Sequence, residues 1–194
     1  MPKEFTLIAG INGAGKSTFY DMDNISDESI LTGSLRVNAD EILAALGLDW
    51  RNELDQFRAG KLAARKLKKC ASGNRSFHQE TTLAGNVNTH VKRIKTVRAN
   101  GFYVRLIYIA LDSAELAKDR IADRVQKGGH GIPDELVEKR YQQSFKNLER
   151  ILPLCDEVRV FDNSFDVLHL VVLKNKLLEL TKFDDFPYLE RYFK

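Results

Sequence analysis

The sequence is poor in the features that build extracellular scaffolds and membrane proteins. Its 194 residues include only two cysteines, Cys70 and Cys155, too few and too far apart for a disulfide framework or a cysteine metal site. No apolar run reaches the about 20 residues that a membrane-spanning helix needs. From the cysteines we expect a reducing cytoplasm, and from the lack of a long apolar run no membrane partner. Met1–Glu4 leads straight into an apolar run, so we also expect no signal peptide.

A large excess of charge of either sign is also missing. Thirty Lys and Arg residues oppose 27 Asp and Glu residues, for a formal net charge of +3. This excess is too small to indicate nucleic acid by itself, although it is compatible with an anionic substrate. The basic segment Lys61–Lys69 has no interleaved aromatic residues for base stacking. We therefore interpret it as a solvated helix face and expect no nucleic-acid partner.

One glycine-rich segment carries the most information about function. Residues 10–17 read Gly-Ile-Asn-Gly-Ala-Gly-Lys-Ser, the phosphate-binding pattern G-x-x-x-x-G-K-[ST]. A simple glycine-rich turn is the alternative, but the segment follows the strand-like run Phe5–Ala9 and precedes a possible helix. Its successive N–H groups can form an anion nest, with Lys16 on the β- and γ-phosphates and the Ser17 hydroxyl on Mg²⁺. The residues predicted to hold a nucleoside triphosphate are Gly10, Asn12, Gly13, Ala14, Gly15, Lys16, Ser17 and Thr18.

Apolar β-type runs alternate with helical patterns along the chain, which is typical of a parallel α/β sheet. The predicted strands are 5–9, 35–38, 75–79, 103–111 and 157–161. The predicted helices start at Lys16 and cover 40–46, 50–72, 87–99, 113–127 and 133–152, with a hairpin at 168–180 and a short helix within 186–193. The near-continuous apolar run Tyr103–Leu111 indicates a central strand. The length suits one domain spanning residues 1–194.

Asp40 follows the second predicted strand. Ligands of open α/β sheets bind beyond the carboxyl ends of the strands, so Asp40 is a candidate base that accepts the proton of an attacking hydroxyl. Helix capping is the alternative, because Asn38 and Glu41 have the spacing of a capping box and Asp40 would be a first-turn acid. Spacing alone does not decide between these two interpretations.

Glu80-Thr81-Thr82 follow the third predicted strand. If this strand neighbours the first, Glu80 lies near Ser17 and can hold Mg²⁺ directly or through water. The two threonine hydroxyls are candidates for binding substrate or phosphate. The alternative is a loop beginning with an acid and two β-forming residues.

Two other strand ends have simpler explanations. Asp112 follows an apolar strand, the position of a metal-binding aspartate in such folds. Asp112–Glu115 also has the spacing of a capping box, and we favour the capping interpretation. Asp162-Asn163-Ser164 lies at the edge that carries the base-binding loop in such folds. Asx-type turn chemistry explains that tripeptide equally well.

Arginines flank a glycine-rich break between two predicted helices. Residues 127–133 include three glycines and a proline, which indicates a hinge or a lid spanning about residues 120–140. Arg120, Arg124 and Arg140 could close over the triphosphate and stabilise charge in the transition state. For each arginine alone, a solvated surface position is the alternative. His130, within the break, could contact phosphate or sugar, or simply fit its turn.

Several separate motifs, in order, resemble those of short bacterial zeta-toxin-like proteins. The matching segments are GINGAGKST, VNADEI, FHQETTLAG, GFYVRLIYIAL, the glycine-rich break, KRY and FDNS, from about Phe5 to Ser164. The resemblance implies a three-layer α/β fold of the P-loop NTPase, kinase type, with a mostly parallel central sheet and a helical lid. It leaves residues 165–194, the predicted hairpin and tail, largely uncovered.

The resemblance also implies an ATP- and Mg²⁺-dependent kinase acting on a hydroxyl of a nucleotide-activated sugar such as UDP-N-acetylglucosamine. Asp40 then resembles the catalytic base, Glu80 an acid near metal and substrate, and Arg124 and Arg140 the arginines on the γ-phosphate. Arg120 is the alternative arginine for binding the γ-phosphate, and Thr82 resembles a residue on the substrate side of the site. The family relation implies an antitoxin protein as a partner. Kinases for another small alcohol or nucleotide, and an ATP-hydrolysing binding switch, remain alternatives.

Overall fold

The computed structural model describes residues 3–26, 29–129, 131–165 and 167–193. Within these residues, seven strands form one sheet. The strands are β1 (Glu4–Ala9), β2 (Leu35–Val37), β3 (Phe77–Thr81), β4 (Tyr103–Ala110), β5 (Glu157–Asp162), β6 (His169–Lys174) and β7 (Glu179–Thr181). The helices are α1 (Lys16–Ile25), α2 (Ala39–Ala45), α3 (Glu53–Ala71), α4 (Val87–Ala99), α5 (Ala114–Gln126), α6 (Asp134–Ile151) and α7 (Pro187–Glu190).

The sheet is mostly parallel, with strand order β2-β3-β1-β4-β5-β6-β7. Strands β1 to β5 pair in parallel, and β6 and β7 form the predicted antiparallel hairpin at one edge. The expectation that β3 neighbours β1 is confirmed, with Ile8 opposite Glu80. Because β1, β2 and β3 are parallel, their carboxyl ends meet at one edge of the sheet, where the phosphate-binding loop begins.

Helices cover both faces of the sheet, so the predicted three-layer α/β architecture is confirmed. Alternate residues of β1 and β4 face opposite layers, since successive strand side chains point to opposite sides. Leu7 and Tyr108 belong to the core beneath α3, α4 and α6. Ile8 and Ile107 belong to the core beneath α1 and α5. Among the described residues, no helix combines the length and apolarity needed to cross a bilayer.

The third strand starts and ends two residues later than the predicted range of 75–79. Arg75 is exposed, and the backbone carbonyl of Ser76 accepts a hydrogen bond from Leu35 where the chain enters the sheet. Similarly, α3 starts at Glu53 and not at the predicted Trp50, because Asn52 caps the helix. The shift of β3 matters for the site, because it places Glu80 and Thr81 inside the strand.

Two buried histidines should make the fold sensitive to mild acid. Burial lowers the pKa of His78 and of His90 to about 4, from the ordinary 6.5. Between these values the unfolded chain binds more protons than the folded one, so the free energy of unfolding falls as pH falls. From pH 7 to pH 5 we expect a loss of about 2 kcal/mol for each histidine.

Urea unfolding at both pH values tests this expectation in the native chain and in the variant His78→Gln/His90→Gln. The variant should lose correspondingly less stability between pH 7 and pH 5, because the other titrating groups are shared. An equal loss in both proteins would show that the two histidines do not cause the sensitivity.

Candidate functional site

The phosphate-binding loop connects β1 to α1 in a conformation that requires glycine. Gly13 and Gly15 have φ of 80° and 87°, in the left-handed region. A Cβ on Gly13 would lie 2.8 Å from the carbonyl oxygen of Ala117, and one on Gly15 would lie 2.0 Å from the Nδ2 of Asn163. The loop is therefore pressed against α5 and the end of β5, which positions its N–H groups.

Asn163 anchors this loop from the end of β5, a role that sequence reasoning missed. Its buried Nδ2 donates a hydrogen bond of 2.9 Å to the carbonyl of Ala14. The neighbouring Asp162 accepts hydrogen bonds from the backbone N–H of Ser164, at 2.9 Å, and from the hydroxyl of Tyr188. The Asx-turn interpretation of this tripeptide is thus confirmed for Asp162. No local pattern marks Asn163, because its partner is distant in sequence.

The ammonium group of Lys16 lies against the loop. It donates to the carbonyls of Gly10, at 2.8 Å, and Ile11, at 3.1 Å, and its Nζ is 3.9 Å from the Oε1 of Glu80. Burial lowers the pKa of Lys16 from its ordinary value, an effect that the charge of Glu80 opposes. Triphosphate oxygens would supply the negative charge that these neutral carbonyls lack.

Glu80 is held by Arg36 of β2 and by Asn38, the residue that follows this strand. Its Oε2 accepts hydrogen bonds from the Nη2 of Arg36, at 3.1 Å, and from the Nδ2 of Asn38, at 2.9 Å. The Arg36 guanidinium stacks on the ring of Tyr20, 3.9 Å from its centroid. These contacts leave Oε1 directed to Lys16. Sequence reasoning missed Arg36. A charged residue between two apolar residues of a short strand could have indicated a buried ionic partner.

Asp40 lies exposed in the first turn of α2. Asn38 caps this helix as predicted, accepting a hydrogen bond of 2.8 Å from the backbone N–H of Asp40. The predicted capping box is wrong for Glu41, whose carboxylate pairs with Arg36 at 2.8 Å instead. Burial lowers the pKa of Lys16 and of Arg140, and the negative charge of Asp40 opposes this lowering in both. Asp40 therefore lies in the electrostatic field of the loop with its carboxylate accessible.

Two arginines approach the loop from the other side. The Nη1 of Arg140 in α6 donates a hydrogen bond of 2.8 Å to the Oδ1 of Asn12. Arg124, exposed in the last turn of α5, is close enough to lower the pKa of Lys16 by its charge. Arg120 is half-buried one turn earlier in α5.

The glycine-rich break ends α5 by folding back on it. Gly128 has a φ of 84°, and the backbone N–H of Gly129 donates to the carbonyl of Arg124 at 2.9 Å. A Cβ on Gly129 would lie 2.6 Å from the Cγ of Arg124, so this position is specific for glycine. The lid itself stays a prediction, and His130 lies outside the described residues.

Thr81, the last residue of β3, and Thr82 close a turn. The hydroxyls of Thr81 and Thr82 accept hydrogen bonds from the N–H groups of Leu83, at 3.1 Å, and Ala84, at 3.4 Å. Both hydroxyls keep their protons available for another acceptor.

The cap of α5 is Ser113, whose hydroxyl accepts from the N–H of Leu116 at 3.3 Å. The predicted capping box with Asp112 as the cap is wrong by one residue. Asp112 instead accepts a hydrogen bond of 2.9 Å from the hydroxyl of Ser113.

The residues at the loop are compatible with magnesium bound through a triphosphate. Among the described residues, no group of three or more His, Cys, Asp or Glu side chains could hold a metal ion unaided. Mg²⁺ in such sites takes one or two protein ligands and completes its shell with phosphate oxygens and water. The exposed Ser17, in the first turn of α1, and the Oε1 of Glu80 are oxygen donors of this kind.

Comparison with known proteins identifies relatives by sequence and by fold. The family model described as zeta toxin matches residues 2–172. An uncharacterized protein of Haemophilus influenzae is 32% identical over 142 residues, covering 73% of this chain and 94% of that protein.

Two solved structures share the fold. One, from work on the PezAT chromosomal toxin–antitoxin system of Streptococcus pneumoniae, has a TM-score of 0.62 at 18% identity and covers 83% of this chain and 68% of its own. The other, a chain of the AvrRxo1-ORF1:AvrRxo1-ORF2 complex with sulphate ions, has a TM-score of 0.74 at 15% identity and covers 95% of this chain. This chain spans 62% of that structure's length.

These matches agree with the geometry of the site. The loop, its lysine and the mostly parallel sheet form a P-loop kinase fold, which supports a nucleotide-binding, kinase-type activity. The sequence match extends over most of the chain and includes all the strands that carry the loop and its acidic neighbours. The protein therefore belongs to the zeta toxin family.

Proposed function

We propose that this protein is an ATP- and Mg²⁺-dependent kinase that phosphorylates a hydroxyl of a nucleotide-activated sugar, such as UDP-N-acetylglucosamine. One observation carries the proposal: carboxylates and cations from four separate elements converge on the loop. An ion pair of 3.9 Å joins Lys16 to Glu80, and the charge of Asp40 opposes the lowering of the pKa of Lys16 and Arg140 that burial causes. A site that only bound a nucleotide would not need the accessible carboxylate of Asp40.

The donor half of the site would hold ATP. Loop N–H groups and Lys16 bind the phosphates, and Ser17 and Glu80 hold Mg²⁺, which neutralises charge on the β- and γ-phosphates when bound. Glu80 is suited to this role because Arg36 and Asn38 occupy its other oxygen.

The acceptor half would be served by Asp40. Its carboxylate takes the proton of the substrate hydroxyl as that oxygen forms a bond to the γ-phosphorus, and the bond to the ADP oxygen breaks. Arg140 and Arg124, with Arg120 as the alternative, stabilise negative charge on the transferred group. Thr81, Thr82 and His130 are the proposed contacts with the acceptor.

The comparisons support parts of this proposal. Membership of the zeta toxin family supports the kinase chemistry. A structure of the AvrRxo1-ORF1:-ORF2 complex was solved with ATP, at a TM-score of 0.73, which supports ATP as the donor here. The PezAT toxin–antitoxin system supports an antitoxin protein as a partner. The free thiols of Cys70 and Cys155 support a reducing, cytoplasmic setting.

Incubation with ATP, Mg²⁺ and a panel of UDP-sugars tests the acceptor. We expect one sugar nucleotide to gain the mass of a phosphate, and the gain to disappear with Asp40→Asn. Neutral sugars and free nucleotides in the same panel test the alternative acceptors. ATP hydrolysis without a mass gain on any sugar nucleotide would contradict the proposed acceptor and favour the binding switch.

A further inference from the structure

Residues 183–193, which contain α7, pack against α6 and the end of β5. This α7 segment lies beyond the residues 2–172 that the zeta toxin model matches, and the proposed reaction assigns it no role. Leu189 is fully buried and Phe186 is nearly so, both in the core beneath α3, α4 and α6. The segment is therefore an integral part of the fold, placed beside the elements that hold the phosphate-binding loop.

At the end of β5, the α7 segment supplies a hydrogen-bond donor to a buried carboxylate. Asp162 is completely buried, and the hydroxyl of Tyr188 donates to its Oδ2. Among the described residues, no cation lies within 4 Å of the Asp162 oxygens. Burial, and then the bond to Asp162, raise the pKa of Tyr188, so its hydroxyl keeps its proton. A buried carboxylate without a cation depends on such donors.

Asp162 in turn shapes the residues that follow it. Its Oδ1 accepts a hydrogen bond from the N–H of Ser164 at 2.9 Å, and its Oδ2 accepts one from the Ser164 hydroxyl at 2.7 Å. The turn encloses Asn163, whose Nδ2 donates to the carbonyl of Ala14 at 2.9 Å. The contact with the loop is close, since a Cβ on Gly15 would lie 2.0 Å from the same Nδ2. A displacement of Asn163 therefore displaces the loop.

The α7 segment also packs on α6, the helix that reaches the other side of the loop. Tyr192 stacks on Phe145 of α6, with ring centroids 4.4 Å apart and planes at 12°. Tyr188 meets the same ring edge-on, at 6.5 Å. One turn and more towards the start of α6, Arg140 donates to Asn12 of the loop at 2.8 Å. One short segment thus contacts both elements that hold the loop.

We infer that the α7 segment holds the phosphate-binding loop in its ATP-binding conformation, with Tyr188 as a positioning residue that acts through Asp162 and Asn163. The inference rests on the proposed function, in which this loop binds ATP, and adds a residue outside the loop. Successive N–H groups bind a phosphate only when they point at one position. Fixing Ala14 from β5 lowers the entropy that the loop must lose on binding, and so strengthens the binding of ATP.

Removing the Tyr188 hydroxyl alone tests this inference. Tyr188→Phe keeps the ring against Phe145, and calorimetry gives the Kd of a non-hydrolysable ATP analogue with Mg²⁺. We expect this Kd to rise about three- to tenfold, because the loop is less well ordered before binding. Tyr192→Phe is the matched control, since it removes a hydroxyl from the same segment and keeps the stacked ring. An unchanged Kd in folded Tyr188→Phe, or an equal rise in both variants, would overturn the inference.

A double-mutant cycle checks that Tyr188 acts through Asn163. Asn163→Ala should raise the Kd of the analogue more than Tyr188→Phe does, because it removes the bond to Ala14 directly. The double variant Tyr188→Phe/Asn163→Ala should bind no more weakly than Asn163→Ala alone. Fold-changes that multiply would show two independent effects and contradict the positioning role.

Hydrogen exchange in the nucleotide-free protein separates positioning from overall stability. The N–H groups of Ala14 and Phe19 are hydrogen-bonded within the loop and the first turn of α1, at 3.2 and 3.1 Å. Those of the central strand β4 report on global unfolding. Tyr188→Phe should speed exchange at the loop by a larger factor than in β4. An equal factor at both places would make Tyr188 a general stabilising residue and overturn the inference.

The outcomes for the two proposals differ. If the native protein bound the analogue but transferred phosphate to no acceptor, the kinase would be contradicted and the inference would stand. If the native protein did not bind the analogue, ATP would be excluded as the donor, and hydrogen exchange would decide whether the α7 segment positions the loop. With a turned-over acceptor, Tyr188→Phe should raise the KM for ATP and spare the KM for the acceptor. Transfer with an unchanged KM for ATP would keep the kinase and exclude the inference.

Discussion

Replacing Lys16 by alanine is expected to abolish phosphoryl transfer and to weaken ATP binding at the same time. The ammonium lies at the loop with two neutral carbonyls as its hydrogen-bond acceptors, so phosphate oxygens should replace them when ATP binds. Loss of a charged donor to phosphate should raise the Kd for ATP about 10- to 100-fold. The missing transition-state contact should lower kcat by about 10³.

Equilibrium titration with a fluorescent ATP analogue and a transfer assay measure the two effects. Lys118→Ala is a matched control, since Lys118 belongs to α5 and pairs with Glu115 and Glu138 on the surface. Thermal unfolding shows whether Lys16→Ala still folds. An unchanged Kd for ATP in a folded Lys16→Ala protein would exclude Lys16 from phosphate binding.

Replacing Asp40 by asparagine should separate catalysis from binding. The carboxylate is exposed and, within the described residues, accepts no hydrogen bond, while the cap of α2 uses the backbone N–H of Asp40. The substitution should therefore preserve the fold and the affinity for ATP. Loss of a general base should lower transfer by about 10²- to 10⁴-fold.

The measurement compares kcat and the Kd for ATP of Asp40→Asn with those of the native protein. Glu41→Gln is the matched control, a neighbouring carboxylate that pairs with Arg36 instead of facing the loop. If Asp40→Asn and Lys16→Ala weakened ATP binding equally, Asp40 would not be the base.

Much of the fold was predictable because its signals are local. The apolar run of β4 predicted a central strand, and the buried strand lies between β1 and β5. The helix α4 has the predicted bounds, because Asn86 caps its start and Asn100-Gly101 ends it. Errors occurred where a contact from elsewhere moved a boundary, as at β3, whose entry is set by the bond between Leu35 and Ser76.

Candidate residues at the site were predictable only in part. The loop and the acids at strand ends follow from a motif and from the rule that ligands bind at the carboxyl ends of parallel strands. Asn163 and Arg36 were not recognised as partners of the loop and of Glu80, because hydrogen bonds over long sequence separations leave no periodic pattern.

The amino-acid sequence alone determined that a phosphate-binding loop would join a buried strand to a helix. Glycine backbone freedom and strand–loop–helix order act over only a few residues, so the pattern is sufficient. Tertiary structure decided which charges meet at that loop. Arg36 reaches Glu80 across 44 residues, Arg140 reaches Asn12 across 128, and Asn163 reaches Ala14 across 149. Such contacts depend on the packing of the sheet and its helices.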